Sequence, residues 1–218
     1  MQLRGQPEMK NEEMRGIIRA AYLTQLRHGP FTTEELRQHL VEDPSGQLQN
    51  AEYFLAQTAH QVTRYTLTAA ARRLIKIVLA GGVYDVIHVG HLAALREAKE
   101  LGDVLVVVVA TDITVEMLKG RKPILPEEDR RELLEGLKPV DKAILGYEDV
   151  GFGFEQVLME VMPDLVAFGF DQEKLEATVS EIIQHRSLKI TVVKLSRFNR
   201  EKYASSTSLR QRLAEASK

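Results

Sequence analysis

The stretch Leu79-Ala80-Gly81-Gly82-Val83-Tyr84-Asp85-Val86-Ile87-His88-Val89-Gly90-His91 decides how the chain is read. It begins as the end of a short apolar strand, Ile75 to Ala80, and leads into a helix from Leu92 to Leu101. Two glycines directly after a strand let the backbone come close to a ligand. The His-x-Gly-His that follows brings two imidazoles, His88 and His91, to the free backbone N–H groups of a helix start. Those N–H groups and the positive end of the helix dipole make an anion site. Gly90, between the histidines, leaves room for a phosphate against the backbone. Two other readings stand beside this one: a metal pair, for which Asp85 is the only further ligand nearby, or polar residues at a helix start. Neither gives the glycines a purpose.

Outward from this junction the pattern alternates strand and helix. Val104 to Ala110 is a Val-rich run, apolar on both faces as a buried parallel strand requires. A helix follows at Glu127 to Leu137, a strand at Ala143 to Leu145, and a helix at Phe154 to Met162, stopped by Pro163. Then come a strand at Leu165 to Phe168, a helix at Glu173 to His185, a strand at Ile190 to Leu195 and a last helix at Ser206 to Ala216. Repeated βα units of this length predict an α/β fold: a Rossmann-like, doubly wound, parallel five-stranded sheet with helices on both faces. Its ligand belongs at the carboxyl ends of the strands, where strand order reverses.

Residues 1–74 read differently, as a small, mainly helical, winged-helix-like domain ahead of the α/β domain of residues 75–218. Met14, Ile17, Ile18, Tyr22 and Leu26 form a helical stripe, ended by Gly29-Pro30. Thr32 or Thr33 is a natural N-cap for a short helix to Leu40, with Glu34 and Glu35 in its first turn. Pro44-Ser45-Gly46 reads as a turn, Leu48 to Val62 as a third helix, and Arg64 to Thr68 as a small β-element.

Composition bounds the function. Among 218 residues, 44% are apolar, enough for a real core, and no apolar run reaches the length of a membrane span. There is no cysteine, so disulfides, thiolate metal sites and a cysteine nucleophile are excluded. No apolar signal core marks export, and a cytoplasmic protein is expected. The formal charge of -2 argues against a protein that grips a polyanion along its length. Residues 1–75 carry nine Lys and Arg against eight Asp and Glu, and Leu48 to Val62, the place of a recognition helix, has neither Lys nor Arg. Nucleic acid is therefore not the expected partner.

The junction motif, Gly82-Val83-Tyr84-Asp85 followed by His88-Val89-Gly90-His91, resembles the signature of the cytidylyltransferase-like nucleotidyltransferases. The segments Lys119-Gly120-Arg121-Lys122-Pro123 through Arg131 and Lys138 through Gly146 are most similar to archaeal FAD synthase. Phe168-Gly169-Phe170-Asp171-Gln172 resembles the Gly-x-Asp-Gln loop of the same group, and Ala204 through Arg210 resembles its Ile-Ser-Thr-Thr-Lys stretch. Val83 stands where the family commonly has Thr. The Arg-Thr-x-Gly that commonly precedes the last motif is not cleanly present; Arg197 and Arg200 lie in its place.

The resemblance implies transfer of a nucleoside monophosphate from ATP or CTP to a phosphorylated small molecule, with release of pyrophosphate. An FAD synthase-like reaction, adenylyl transfer to FMN, is favoured. Cytidylyl transfer to glycerol phosphate or ethanolamine phosphate is the alternative, and a DNA-binding regulator that senses a ligand is an alternative of another class. The reaction is an in-line displacement carried by positioning and charge stabilisation. Mg²⁺ is expected to arrive with the nucleotide rather than in a protein metal site, and a homodimer is expected from family habit.

The implied roles follow the motifs. His88, His91 and Lys122 are the expected catalytic residues. Gly81, Gly82, Val83, Tyr84, Asp85, Gly90, Gly169, Asp171, Ser205, Ser206 and Thr207 are expected around the nucleotide. Asp85 either orients the motif loop or faces Mg²⁺; Asp171 either orients base or ribose or caps the next helix; the hydroxyls either cap the last helix or donate to phosphates. Lys119, Arg121 and Lys122 form a basic loop after the second strand, either a phosphate clamp or a solvated surface. Lys119, Arg121 and Arg130 are expected at the acceptor phosphate, with Arg130 equally readable as an exposed helix residue.

Overall fold

The computed structural model describes residues 6–40, 43–148 and 152–196 and, further on, Leu209, Arg212 and Glu215, which are helical. The chain divides into two compact units, residues 1–76 and 77–218. No helix among the described residues is long and apolar enough to cross a membrane.

The second unit holds a parallel sheet in the order β5-β4-β3-β6-β7. Its strands are β3 (Ile77–Gly82), β4 (Val104–Val109), β5 (Lys142–Leu145), β6 (Leu165–Phe168) and β7 (Thr191–Lys194). All six residues of β4 are buried, so the Val-Leu-Val-Val-Val-Val run has core on both faces. Fully burying each such side chain is worth about 1.5–3 kcal/mol, which makes this strand the anchor of the sheet. Helices α4 (Val89–Glu100) and α6 (Glu127–Glu135) lend Leu95, Ala98 and Leu134 to the core that holds Val78, Ala80, Leu105, Val107 and Val109. From β3 the chain first winds towards β5, then returns to β6 and β7. Right-handed crossovers in opposite directions place their helices on opposite faces. Accordingly, a Cβ on Gly81, which points away from Ala80, would lie 4.0 Å from Phe154 of α7 (Phe152–Val161). Helix α7 also packs on α8 (Glu173–His185). The winding reverses between β3 and β6, where the carboxyl ends open into a crevice.

One element was not foreseen. Helix α5 (Asp112–Lys119) lies between β4 and the basic segment, capped by the Thr111 side chain at its start and by Gly120 at φ 62° at its end. Lys119 is thus helical, and the basic loop begins only after it. The β-branched run Ile113-Thr114-Val115 hides this helix from a propensity reading.

The first unit contains α1 (Gln6–His28), α2 (Thr33–Arg37), a 3₁₀ helix at Pro44–Gln49, the antiparallel hairpin of β1 (Phe54–Ala59) and β2 (Val62–Leu67), and α3 (Ala69–Arg72). Thr32 caps α2 in a reciprocal capping box with Glu35. The helix expected over Leu48 to Val62 is overturned. Its first residues end the 3₁₀ helix, and the rest forms β1 and the hairpin turn. Pairing decides the outcome: β1 bonds to the β-branched and aromatic β2, whose Tyr65 exchanges backbone hydrogen bonds with Phe31. His60 and Gln61, the turn residues, have φ of 49° and 65°. Two consecutive left-handed residues are the geometry of a tight hairpin turn that Asn-Gly adopts far more readily.

A double variant His60→Asn with Gln61→Gly should therefore stabilise this unit by about 1 kcal/mol. The check is the urea midpoint followed by circular dichroism, which should rise; a lower midpoint would show that these residues carry no such cost.

Candidate functional site

The crevice encloses a cavity of about 890 Å³. It is walled by the β3–α4 junction, the ends of β4 and β5, α5, α7 and the β6–α8 junction. Gly81, Gly82, Val83, Tyr84, Asp85, His88, Gly90, His91, Lys119, Arg121, Gly169 and Asp171 all border it.

The junction is built around Tyr84, which sits at φ 52°, is 7% exposed, and folds its ring back against Gly82. A Cβ on Gly82 would lie 2.9 Å from that ring, so any side chain at 82 would force the buried Tyr84 ring to shift. The Tyr84 ring meets His91 edge-on at 5.1 Å, and His91 stacks on His88 with centroids 3.8 Å apart. His88 is the N-cap of α4: its Nδ1 accepts from the N–H groups of Gly90 at 3.1 Å and His91 at 3.4 Å. This corrects the expectation of free N–H groups at the helix tip, since an imidazole already takes two of them. It also fixes the neutral tautomer of His88, with the proton on Nε2.

Burial holds the His88 imidazole below its usual pKa, with Asp171 pulling the other way. Burial drives His91 down to about 4, helped by His88 and Lys119 and opposed by a backbone contact from Val86. His91 Nδ1 is buried and has no hydrogen-bond partner among the described residues. Both rings are therefore neutral near pH 7, and a stacked pair can tolerate only neutrality until an anion arrives.

Asp85 is 3% exposed and orients a loop. Its carboxylate accepts the backbone N–H groups of Ile124 and Leu125, and Arg121 Nη1 lies 3.4 Å away. Of the two readings of Asp85, the geometry favours loop support. Arg130 is corrected. It is 0% exposed and does not border the cavity. Its guanidinium donates to the carbonyls of Val83 at 2.6 Å and Leu125 at 3.0 Å and to the Asp112 carboxylate at 2.5 Å. Its donors serve the walls, bracing the motif loop against α5 and the 121–125 loop. Lys122 is exposed and also lies off the cavity border; Lys119 and Arg121 are the cations that the crevice gathers from that segment. Ser205, Ser206 and Thr207 lie outside the described residues, as do Arg197 and Arg200.

Sequence reasoning missed four kinds of wall residue. Gln172 bridges the ends of β6 and β3. Asp112 anchors Arg130. Thr114 borders the cavity from α5, and Tyr147 and Phe154 give it an apolar flank. Only Gln172 lay in a quoted motif; the others come from parts of the chain brought together by folding.

A family model described as cytidylyltransferase-like matches residues 79–212, from within β3 to Arg212. The chain belongs to the cytidylyltransferase-like family. Curated relatives agree. An FAD synthase of Aciduliprofundum boonei is 46% identical over 121 residues, 56% of this chain and 78% of that protein. An FAD synthase of Pyrococcus abyssi is 39% identical over 146 residues, 67% of this chain and 97% of that protein. A crystal structure titled as a lipopolysaccharide core biosynthesis protein from Thermoplasma volcanium is 39% identical. It superposes with a TM-score of 0.53 over 57% of this chain and 99% of that one. This cytidylyltransferase-like chain is a nucleotidyltransferase, and the matched stretch covers the crevice and every motif around it.

Two outcomes follow from the geometry. Arg130→Met should cost about 1–3 kcal/mol, because it leaves the Val83 and Leu125 carbonyls without their donor and the partly exposed Asp112 carboxylate without its partner; a urea midpoint close to that of the parent would refute the bracing role. Because the folded pKa of His91 lies below its unfolded value, the unfolded chain binds more protons between about pH 4 and 6.5. Stability is then complete above pH 6.5 and is lost as pH falls. Replacing His91 with Gln should flatten that loss by up to about 3 kcal/mol, read as the midpoint difference between pH 7 and pH 4.

Proposed function

We propose that the chain is an FMN adenylyltransferase: it joins AMP from ATP to the phosphate of FMN, giving FAD and pyrophosphate. The observation that supports this best is the apolar flank of the cavity. Val108, Leu118, Tyr147, Phe154 and Val157 are among its lining residues, and a volume of about 890 Å³ is near the top of the range for small-molecule sites. A flat ring system fits such a wall. Glycerol phosphate or ethanolamine phosphate would leave it bare. The names of the relatives, FAD synthases 39–46% identical, point the same way.

The chemistry is one displacement. A phosphate oxygen of FMN attacks the α-phosphorus of ATP; one P–O bond forms, the bond to the β-phosphate bridge breaks, and pyrophosphate leaves. The acceptor is already ionised, so no proton has to be removed. His88 and His91 face the triphosphate, and Lys119 and Arg121 supply positive charge at its border. An incoming polyanion reverses the balance that keeps His91 neutral, so the imidazole takes up a proton as charge gathers on the transferring phosphoryl group. The Ser205, Ser206 and Thr207 hydroxyls, which the family resemblance assigns to the nucleotide, belong to the same reading. Among the described residues no group of three or more metal ligands forms a site, and the Asp85 carboxylate is committed to loop N–H groups. In this reading Mg²⁺ comes with the Mg–ATP substrate, where it would offset the charge of the leaving group.

Residues 1–74 act as a winged-helix-like accessory that makes protein contacts, including those of a homodimer. The 3₁₀ helix Pro44–Gln49 carries no Lys or Arg, which disfavours nucleic acid as its partner. Cytoplasmic enzymes of cofactor synthesis fit this reading.

The test is to incubate the protein with Mg²⁺ and ATP or CTP, against FMN, glycerol phosphate and ethanolamine phosphate, and to measure pyrophosphate and product. ATP with FMN should give FAD and pyrophosphate in equal amounts. Turnover only with CTP and a small polar phosphate would sink the proposal. His91→Ala should lower turnover at least about a hundredfold; near-normal turnover would remove this imidazole from the mechanism.

A further inference from the structure

Gln172 joins the two halves of the crevice. Its Oε1 accepts the Gly169 backbone N–H at 2.7 Å, and its Nε2 donates to the Gly81 carbonyl at 2.9 Å. The orientation of the amide is fixed by its partners, since an N–H can only donate and a carbonyl only accept. The β3–β6 ladder pairs Val78 with Leu165, Leu79 with Val166 and Ala80 with Ala167, and stops there. In that register Gly81 falls opposite Phe168, so a further rung would run directly from Gly169 N–H to Gly81 C=O. One side-chain amide occupies the place of that rung. It keeps both backbone groups bonded while the strands part, at the point where the sheet reverses its winding and the cavity opens.

We infer that Gln172 is a positioning residue that sets the width of the nucleotide crevice. The two glycines it joins each begin a stretch of the site: Gly81 leads into the Gly82–His91 junction, and Gly169 into the segment bearing Asp171. Holding these stretches one amide apart keeps the imidazoles and the β6–α8 wall in register on opposite sides of a bound nucleotide. A Cβ on Gly169 would lie 3.4 Å from both the Gln172 Oε1 and an Asp171 carboxylate oxygen, so the clamp closes tightly over this turn. No other side chain of similar size both donates and accepts from the same planar end. Glu accepts at both oxygens, Met makes neither bond, and Asn is one methylene too short to span the gap.

This inference rests on the reading of the crevice as the nucleotide site, and its test separates the two. ATP affinity is measured by calorimetry in the full-length parent, Gln172→Met and Gln172→Glu, and KM is measured for ATP and for FMN. Both variants should bind ATP roughly tenfold more weakly at pH 8, with the KM for FMN unchanged within about twofold. The Glu variant adds a signature. Protonated Glu has one accepting and one donating oxygen, as the amide does, and a carboxylate facing a carbonyl oxygen gains a proton more readily than in water. Its defect relative to the parent should therefore shrink between pH 8 and pH 5, while that of the Met variant stays. Asp171, Glu173 and Lys174 beside it and His88 across the crevice are common to all three proteins, so the ratio to the parent cancels their titration. ATP affinities equal to the parent in both variants overturn the inference and leave the enzymatic reading intact. A Glu defect that ignores pH also overturns it. A parent that binds neither ATP nor CTP removes the enzymatic reading and this inference together.

Discussion

A parallel sheet wound in two directions from its first strand cannot close over its own carboxyl edge. The crossovers from β3 carry the chain to β4 and β5 on one face, and those that follow carry it to β6 and β7 on the other. Between β3 and β6 no connection among the described residues covers the strand ends. The candidate site is arranged around that opening: the glycine junction and His88 on one lip, Gly169 and Asp171 on the other, and α5 and α7 along the flank. The buried strand β4 makes the opening rigid. Its six apolar residues have core on both faces, so the frame is set by packing that the site cannot deform.

Within this frame the local chemistry is a balance between burial and charge. Two imidazoles stacked 3.8 Å apart are held neutral first because burial disfavours their charged forms, and at His91 also because His88 and Lys119 would face the charge. A polyanion is the one class of ligand that turns this cost into attraction. The same economy governs the walls. Asp85, read as supporting the motif loop or facing Mg²⁺, and Arg130, read as a phosphate contact or an exposed helix residue, are both occupied by backbone groups of the 121–125 loop and the motif loop. Removing their charges from water is offset by fixing two loops that have no secondary structure of their own. Such residues serve the ligand through the shape of the site.

The sequence carried the sheet well because its signals are local. A Val-rich run, glycines after a strand and a proline after a helix act over a few residues, and all five strands of the sheet lie where periodicity placed them. Leu48 to Val62 failed for the opposite reason. Its residues are compatible with either helix or strand, and partnership with Val62–Leu67 across a two-residue turn decided between them. Helix α5 was hidden by β-branched residues whose propensity is overridden by a Thr111 cap at one end and Gly120 at the other. Arg130 went astray because exposure cannot be read from a residue type: an arginine at a helix start resembles a phosphate ligand until the carbonyls that claim it are in view.

By itself, then, the order of residues determined the alternation of strand and helix, the glycine-histidine junction and the family to which it belongs. These follow from hydrophobic period and from short motifs in which the backbone needs a particular residue. Tertiary structure alone decided which charged groups face the cavity and which hold its walls, and that Gln172 spans the switch point to Gly81. Those outcomes depend on groups tens of residues apart meeting at hydrogen-bond distance, and a hydrogen bond of that kind leaves no periodic trace along the chain.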